Sequence, residues 1–302
     1  MSSPHTDQRR DVAIIVNPVA GSGWGRTLVE RFRDRLLAAG HNCEVATPTG
    51  ADDLPRCVGR HATGKTIIVV AGGDGTVRSA LPGLVGRTNP LLVLPLGTEN
   101  LLAKQLGLVA DLDAVWDTFN NGQVSPIDAA TVNGQPFLTV VGAGFDAEAV
   151  ARLARERRGH ITHLAYFRPL WQTFCQYRFP AVRVIVDGEQ ICDEPALVFV
   201  GNVPRYAIGL RILREARWDD GLLDLCIFRC AHRGQLMEHA FWTWLNWHVE
   251  HPRVTYKQVK RVRLESDESL PIQSDGDPAG HLPADIEVVP RAINVMLPPE
   301  RP

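Results

Sequence analysis

The chain has 302 residues, long enough for two domains with sizeable cores. A hydrophobic share of 45%, a charged share of 22% and a formal net charge of −2 describe a globular protein and exclude one that holds nucleic acid mainly by charge. The six cysteines are scattered without a CxxC pair, so they read as reduced thiols rather than metal ligands or a disulfide framework.

The start, MSSPHTDQRRD, is polar and lacks the apolar stretch of a signal peptide. No apolar run approaches the roughly 18 residues that a bilayer span needs. A cytoplasmic protein is expected, with membrane contact only peripheral. Residues 12–17 (VAIIVN) predict a buried strand, and NPVAGSG a glycine-rich turn after it. Residues 26–39 predict a helix with Leu28, Val29, Phe32, Leu36 and Leu37 on one face and Gly40 as its stop. A strand at 43–46 and a helix near 51–63 lead to IIVVAGGDGT at 67–76. Its apolar, β-branched run suits a buried parallel strand. A helix follows, with Pro82 near its start or kinking it. Residues 91–95 predict a further strand, then the loop GTEN and the helix LLAKQLG. This alternation implies a parallel sheet covered on both faces.

Beyond residue 124 strands are denser, at 126–132, 137–141, 181–187, 195–202, 222–229 and 259–265, with two more after 280. VNGQP and VDGEQ read as hairpin turns. Helical stretches interrupt at about 146–177 and 232–249.

Three strand-loop-helix junctions are candidate phosphate sites. In the middle one, Gly72, Gly73 and Gly75 carry no Cβ, so the backbone can turn sharply and approach a ligand closely. Asp74 adds a carboxylate and Thr76 a hydroxyl. The others are NPVAGSG at 17–23 and PLGTEN at 95–100. Backbone N–H groups at such junctions favour anions, and neighbouring parallel strands bring their loops to one sheet edge. A plain strand-to-helix turn is the alternative for each loop alone. NPVAGSG is neither a Walker A loop, since no GK[ST] follows, nor a GxGxxG fingerprint. Late in the chain, Ser274-Asp275-Gly276-Asp277 sets two carboxylates about a glycine, for which a simple hairpin turn is the alternative.

NPVAGSG, GGDGT, PLGTEN, GAGFDAE at 142–148, DDGLLD at 219–224 and the late SDGD resemble, in order and spacing, the diacylglycerol kinase catalytic-domain superfamily. That group includes bacterial lipid kinases and the sphingosine and ceramide kinases. The resemblance implies an α/β plus all-β fold. A parallel-sheet nucleotide domain would span 1–124, with 285–302 returning to it, and a β-sandwich lipid-substrate domain would span 125–284, with ATP in the cleft. It implies that Asn17, Pro18, Val19, Ala20, Gly21, Gly72, Gly73, Asp74, Gly75, Thr76, Val77 and Arg78 contact ATP phosphates. Thr47, Thr98, Glu99, Asn100 and Asp277 complete the nucleotide set. It makes Asp275 the general base, with Asp74 as the second catalytic acid. It implies a structural Mg2+ held by Asp220 and carbonyls near Arg217 and Leu222, and a second role for Mg2+ with ATP. The partner implied is a diacylglycerol-like or sphingoid lipid at the inner membrane face.

The chain departs from the family pattern in three places. Val77, Arg78 and Ser79 follow GGDGT where a small apolar residue and then Asn-Glu are common, Leu101 replaces an acid after Asn100, and Asp277 replaces a glutamate. Glu99, in the same loop as Leu101, is a candidate substitute for the missing acid. These departures keep open a protein that binds nucleotide or lipid without turnover. GGDGT alone also fits a NAD kinase-like enzyme. ARLARERR at 151–158, the aromatics Tyr166, Phe167, Trp171, Phe174 and Tyr177, and the cluster Phe241, Trp242, Trp244 and Trp247 suit a membrane surface or an ordinary aromatic core. Trp242 and Trp244 cannot share one helix face. The histidines at 160, 163, 239, 248 and 251 lack a zincin pattern.

Overall fold

The computed structural model describes residues 9–17, 23–50, 52–156, 163–206 and 209–299, and of 156 and 163–167 only the backbone. The chain forms two compact units, divided at Asp128/Ala129 and again at Pro290/Arg291. Both divisions fall inside strands, so the expected boundary at 124/125 lies within a strand rather than a linker.

In the first unit β1 (Asp11–Val16), α1 (Gly23–Ala38), β2 (Asn42–Ala46), α2 (Leu54–His61), β3 (Ile67–Gly72), α3 (Asp74–Ala80) and β4 (Pro90–Pro95) alternate, followed by α4 (Leu101–Gln105) and α5 (Leu112–Asn121). The strands are parallel in the order β2–β1–β3–β4, with Ile14 opposite both Val45 and Val69, and Val69 opposite Leu92. All six residues of β3 are buried, as a strand covered on both faces requires. Edge strand β2 is largely exposed.

Helix α1 buries Leu28, Val29, Phe32 and Leu36, each worth about 1.5–3 kcal/mol when fully covered. Leu37 is half exposed instead, because one residue past Leu36 turns the side chain about 100° away. Pro82 neither starts nor kinks α3. It sits in the 3-10 turn Leu81–Gly83 that follows. Helix α5 is absent from the sequence reading. Its signal is Asp111, whose carboxylate accepts the N–H groups of Asp113 and Ala114 at 3.0 Å.

β5 (Gln123–Val132) carries the chain into the second unit. There follow β6 (Gln135–Phe137), β7 (Val140–Ala143), α6 (Phe145–Glu156), α7 (His163–Gln176), β8 (Ala181–Val186), β9 (Glu189–Gly201), β10 (Leu223–Arg229), α8 (Arg233–Trp244), β11 (Val254–Val259), β12 (Arg261–Glu265), β13 (Pro271–Ser274), β14 (Asp277–His281) and β15 (Ala284–Leu297). The single helical stretch expected at 146–177 is thus described as α6 and α7. Pairing within the unit is antiparallel, in a ladder β11–β10–β9–β7–β13–β14 and a second ladder β9–β8–β12–β15. Strand β9 serves both, its first half against β8 and its second against β7 and β10. Val184, Val200, Leu225, Val262, Ile272 and Ile286 from these ladders share one core, a β-sandwich. The turns at Asn133-Gly134 and Asp187-Gly188 have positive φ at both residues, as two-residue hairpins demand.

The end of β15 returns to the first unit, pairing parallel with β4 at Asn294 and Val295. The buried carboxylate of Asp128 accepts the backbone N–H of Arg291 at 2.7 Å, so the two passes of the chain are pinned beside the points of crossing.

A buried acid supports the β13–β14 turn. Asp146, second in α6, accepts from the Tyr206 hydroxyl at 3.2 Å. A Cβ on Gly142 would lie 2.4 Å from Asp146 Oδ2 and 2.7 Å from Gln273 Nε2, so the missing side chain makes room for both groups. Gln273 in turn accepts the N–H of Gly276 through Oε1 at 2.9 Å. Burial raises the Asp146 pKa to about 6. The fold therefore prefers the neutral acid. That stabilisation is complete below the unfolded pKa and is lost as pH rises through about 6. Asp146→Asn, always neutral, is expected to exceed the wild type in stability by ~2–3 kcal/mol at pH 8 and to match it near pH 4. Urea denaturation at the two pH values measures this, and a difference independent of pH would refute it.

Candidate active site

The carboxyl ends of β2, β1, β3 and β4 line one edge of the parallel sheet, where open α/β sheets bind ligands. Thr47 follows β2 and is exposed. Asn17 follows β1 and donates from Nδ2 to Thr76 Oγ1 at 3.0 Å, joining the first loop to the second. Pro18, Val19, Ala20 and Gly21 lie outside the described residues.

The second and third loops are in contact. Leu96 N–H donates to Gly72 C=O at 3.0 Å, extending the β3–β4 ladder by one bond. A Cβ on Gly97 would stand 2.5 Å from Gly73 Cα, and one on Gly73 would stand 3.0 Å from Gly97 Cα. Only bare backbones fit this approach. Gly72 is similarly constrained, since a Cβ there would meet Thr76 Oγ1 at 2.4 Å. Asn100 adopts a left-handed conformation (φ 50°), accepts from Gly97 N–H at 2.9 Å and donates to Gly97 C=O at 2.8 Å. This ring of bonds fixes the PLGTEN turn. Thr98 is exposed, and Glu99 stands 3.8 Å from Lys104 in a largely solvated ion pair.

Asp74 occupies the centre. Its Oδ2 accepts from Leu101 N–H at 2.9 Å and its Oδ1 from Leu102 N–H at 3.1 Å. The carboxylate of the second loop thus caps the helix of the third, a link that residue identity alone does not reveal. Gly75 is exposed, Thr76 and Val77 are buried and Arg78 is half-buried on α3. Asn17, Gly72, Gly73, Asp74, Thr76, Gly97 and Asn100 are therefore brought together.

In the second unit, Asp275 and Gly276 form the β13–β14 turn with φ of 50° and 81°. The hairpin alternative is correct for the backbone. The Asp275 side chain, however, turns back onto the bend between β6 and β7 and the first residue of β7. Oδ1 accepts from Thr139 N–H at 2.8 Å, Thr139 Oγ1 at 2.6 Å and Val140 N–H at 3.2 Å, while Oδ2 accepts from Leu138 N–H at 3.0 Å. A carboxylate offers about four lone-pair sites. Three of the four donors fall on Oδ1 and one on Oδ2, so Asp275 holds the turn while Oδ2 keeps a lone pair. Asp277 begins β14 opposite Ser274 and is half-buried. Next to it in sequence, Pro278 lines a recess of about 500 Å3 with Glu148, Arg155, Pro271, Gly280 and His281.

The loop before β10 bears the expected structural cation residues. Asp220 accepts from Leu222 N–H at 3.0 Å through Oδ1 and from Gln258 Nε2 at 3.4 Å through Oδ2. Arg217 pairs with Asp219 at 3.3 Å. Nearby, Asp224 accepts from Tyr256 at 2.7 Å through one oxygen, and its other oxygen is buried without a hydrogen-bond partner. Burial, reinforced by Asp220 and Glu215, raises the Asp224 pKa to about 6. A hard cation on Asp220 and main-chain oxygens fits this excess of negative charge. Among the described residues no group of three or more His, Cys, Asp or Glu forms a metal cluster. His239 and His248 are buried against the carbonyls of Arg229 and Ile212, and His251 pairs with Glu238. Among the described residues no helix is long and apolar enough to cross a membrane.

Residues 11–132 match the family model of the diacylglycerol kinase catalytic domain, and residues 139–297 match that of the YegS C-terminal NAD kinase beta sandwich-like domain. The chain is 30% identical over 295 residues to a diacylglycerol kinase of Mycobacterium tuberculosis, covering 95% of each. It is 27% identical over 292 residues to that of Bacillus subtilis, covering 95% of this chain and 96% of the relative. The crystal structure of a diacylglycerol kinase from Bacillus anthracis superposes with a TM-score of 0.73 at 23% identity, covering 96% of this chain and 98% of that one, which bears on the fold. With both units matched along nearly their whole length, the chain belongs to the diacylglycerol kinase-like lipid kinase family.

Proposed function

We propose that the protein transfers the γ-phosphate of ATP to a hydroxyl of a diacylglycerol-like or sphingoid lipid. The observation that carries this reading is the meeting of the glycine-lined loops after β3 and β4, joined to Asn17 through Thr76. Backbone N–H groups of such loops bind phosphate oxygens, and positioning is the greater part of phosphoryl-transfer catalysis. In this reading Asn17, Gly73, Gly75, Thr76 and Arg78 hold the phosphates, with Thr47, Thr98 and Asn100 at the rim.

Asp74 fixes the third loop relative to the second and so positions the phosphate site. Asp275 holds the β13–β14 turn. It would also serve as the base, with Oδ2, which accepts one bond from Leu138 N–H, taking the proton of the acceptor hydroxyl as that hydroxyl's oxygen attacks phosphorus. The recess lined by Glu148, Arg155 and His281 offers polar partners for the acceptor headgroup. Mg2+, when bound with the nucleotide, would neutralise phosphate charge. Asp220 would hold a structural Mg2+ together with main-chain oxygens near Arg217 and Leu222. Lipid acceptors place the enzyme at the inner membrane face.

A second reading, nucleotide or lipid binding without turnover, draws on Leu101, which puts no acid after Asn100. Phosphate transfer from radiolabelled ATP to a panel of lipids separates the two. No product on any lipid, with ATP still bound, favours the second.

Asp275→Asn is expected to lower kcat by about 10²–10⁴-fold with ATP affinity kept. It is also expected to lower the melting temperature, because an amide nitrogen replaces one of two accepting oxygens facing backbone donors. A larger loss of kcat in Asp277→Asn would move the base role to Asp277. Gly97→Ala, which forces the two loops apart, is expected to weaken ATP binding at least tenfold, as read by calorimetry, while leaving the second unit folded. Unchanged affinity would dissociate the glycine contact from nucleotide binding. Glu99→Gln is expected to raise the Mg2+ concentration needed for half-maximal turnover, and an unchanged Mg2+ titration removes Glu99 as the substitute acid.

A further inference from the structure

Helices α7 and α8 of the second unit carry an apolar face that faces solvent. Met237, Phe241, Trp244 and Leu245 stand at i, i+4, i+7 and i+8 along α8, and with Trp247 just beyond they are 36–71% exposed. This spacing makes one stripe of a helix, which in a globular domain ordinarily faces the core. Here the core side of α8 is taken by Leu236, His239 and Thr243. Trp242, half-buried, stacks on Trp247 at 6.3 Å, so it supports the stripe without joining it. On α7, Leu170 and Trp171 are also about half exposed, and Trp171 stacks on Phe174 at 5.7 Å. The helices are tied together by the Arg233 guanidinium, which donates to the carbonyl oxygens of Phe174 and Cys175.

The charges about this face are mainly basic, and Glu250, three residues past Trp247, pairs with Arg214 at 2.7 Å. Residues 163–178 contain no Asp or Glu, while Arg168 and Arg178 are exposed. Residues 230–247 contain a single acid, Glu238, which pairs with Arg253 at 2.8 Å and His251 at 3.2 Å.

We propose that the α7–α8 face docks the protein on an anionic lipid bilayer. Tryptophan and phenylalanine side chains are at home in the interfacial layer, and the arginines meet anionic headgroups there. A second copy of the chain fits the face less well, because a self-complementary contact would bring the arginines of both copies together with Glu238 and Glu250 already paired within each copy. The proposal deepens the kinase reading, on which it rests for the lipid acceptor, by naming the surface that would bring the enzyme to it.

The test is co-sedimentation of the full chain with phosphatidylcholine vesicles, with and without phosphatidylglycerol, at low and high salt. The wild type is expected to bind the phosphatidylglycerol vesicles at low salt with a blue shift of tryptophan emission. Phe241→Ser/Trp244→Ser, at exposed positions and checked for an unchanged melting temperature, is expected to bind roughly tenfold more weakly. Arg168→Glu is expected to weaken binding at low salt and remove much of its salt dependence. Failure of the wild type to bind, or equal binding by the double serine variant, would overturn the proposal. So would a wild-type dimer in sedimentation equilibrium that the double serine variant dissociates, which would give the face to a second copy. Turnover of a short-chain, water-soluble diacylglycerol is expected to be equal in wild type and double serine variant. Turnover absent from both, with vesicle binding intact, would end the kinase reading and leave the docking surface standing.

Discussion

The loop-bearing edge of the parallel sheet in the first unit depends on a contact between two glycines. Adjacent strands lie about 4.8 Å apart, so the loops leaving β3 and β4 must share a narrow space. They do so because Gly73 and Gly97 present only hydrogen atoms to each other. The bond from Leu96 to Gly72 then continues the ladder, and Asp74 reaches the first N–H groups of α4. A side chain at either glycine would separate the loops and leave the α4 cap without its carboxylate. The backbone to which the proposed function assigns phosphate is thus set by close packing, which is what electrostatic preorganisation requires.

Acidic residues in this protein divide by what their oxygens face. Asp74, Asp111, Asp128 and Asp275 each accept backbone N–H groups and fix a loop, helix end or crossing strand. Asp146 and Asp224 are buried with fewer donors, and their pKa values rise to about 6. The first group serves geometry as carboxylates. The second makes the fold sensitive to pH or receptive to a cation. The turn that carries Asp275 and Asp277 is doubly held, by Asp275 on residues 138–140 and by Gln273 on Gly276. Such support gives a carboxylate on the turn the fixed position that proton transfer needs.

The exposed aromatic stripe of α8 is unusual for the same kind of reason. A helix with Leu236, His239 and Thr243 beneath it has its core side filled. Its most apolar residues are then left outside, at a cost in water that a lipid interface would relieve. The absence of free acids around α7 and α8 agrees with an anionic surface in a way that apolarity alone would not.

Much of this was legible in the sequence. The run IIVVAG is apolar throughout because a covered parallel strand must be, and the glycines after it mark a backbone that has to turn and come close. Asn-Gly and Asp-Gly announced the hairpins at 133–134 and 187–188, since these residues tolerate positive φ. The face of α1 followed from its period, to within Leu37. The rest depended on partners remote in the chain. Asp74 is 27 residues from the amide it caps, and Asp275 is 136 from the one that anchors it. Sequence spacing could not separate Trp242 from Trp244, because burial against the rest of the fold distinguishes them. The sequence by itself determined most of the elements, their order and the family, through local periodicity and motif. Only the tertiary structure decided which backbone groups each carboxylate holds and which aromatic face is left exposed, because both depend on what lies opposite once the strands pair.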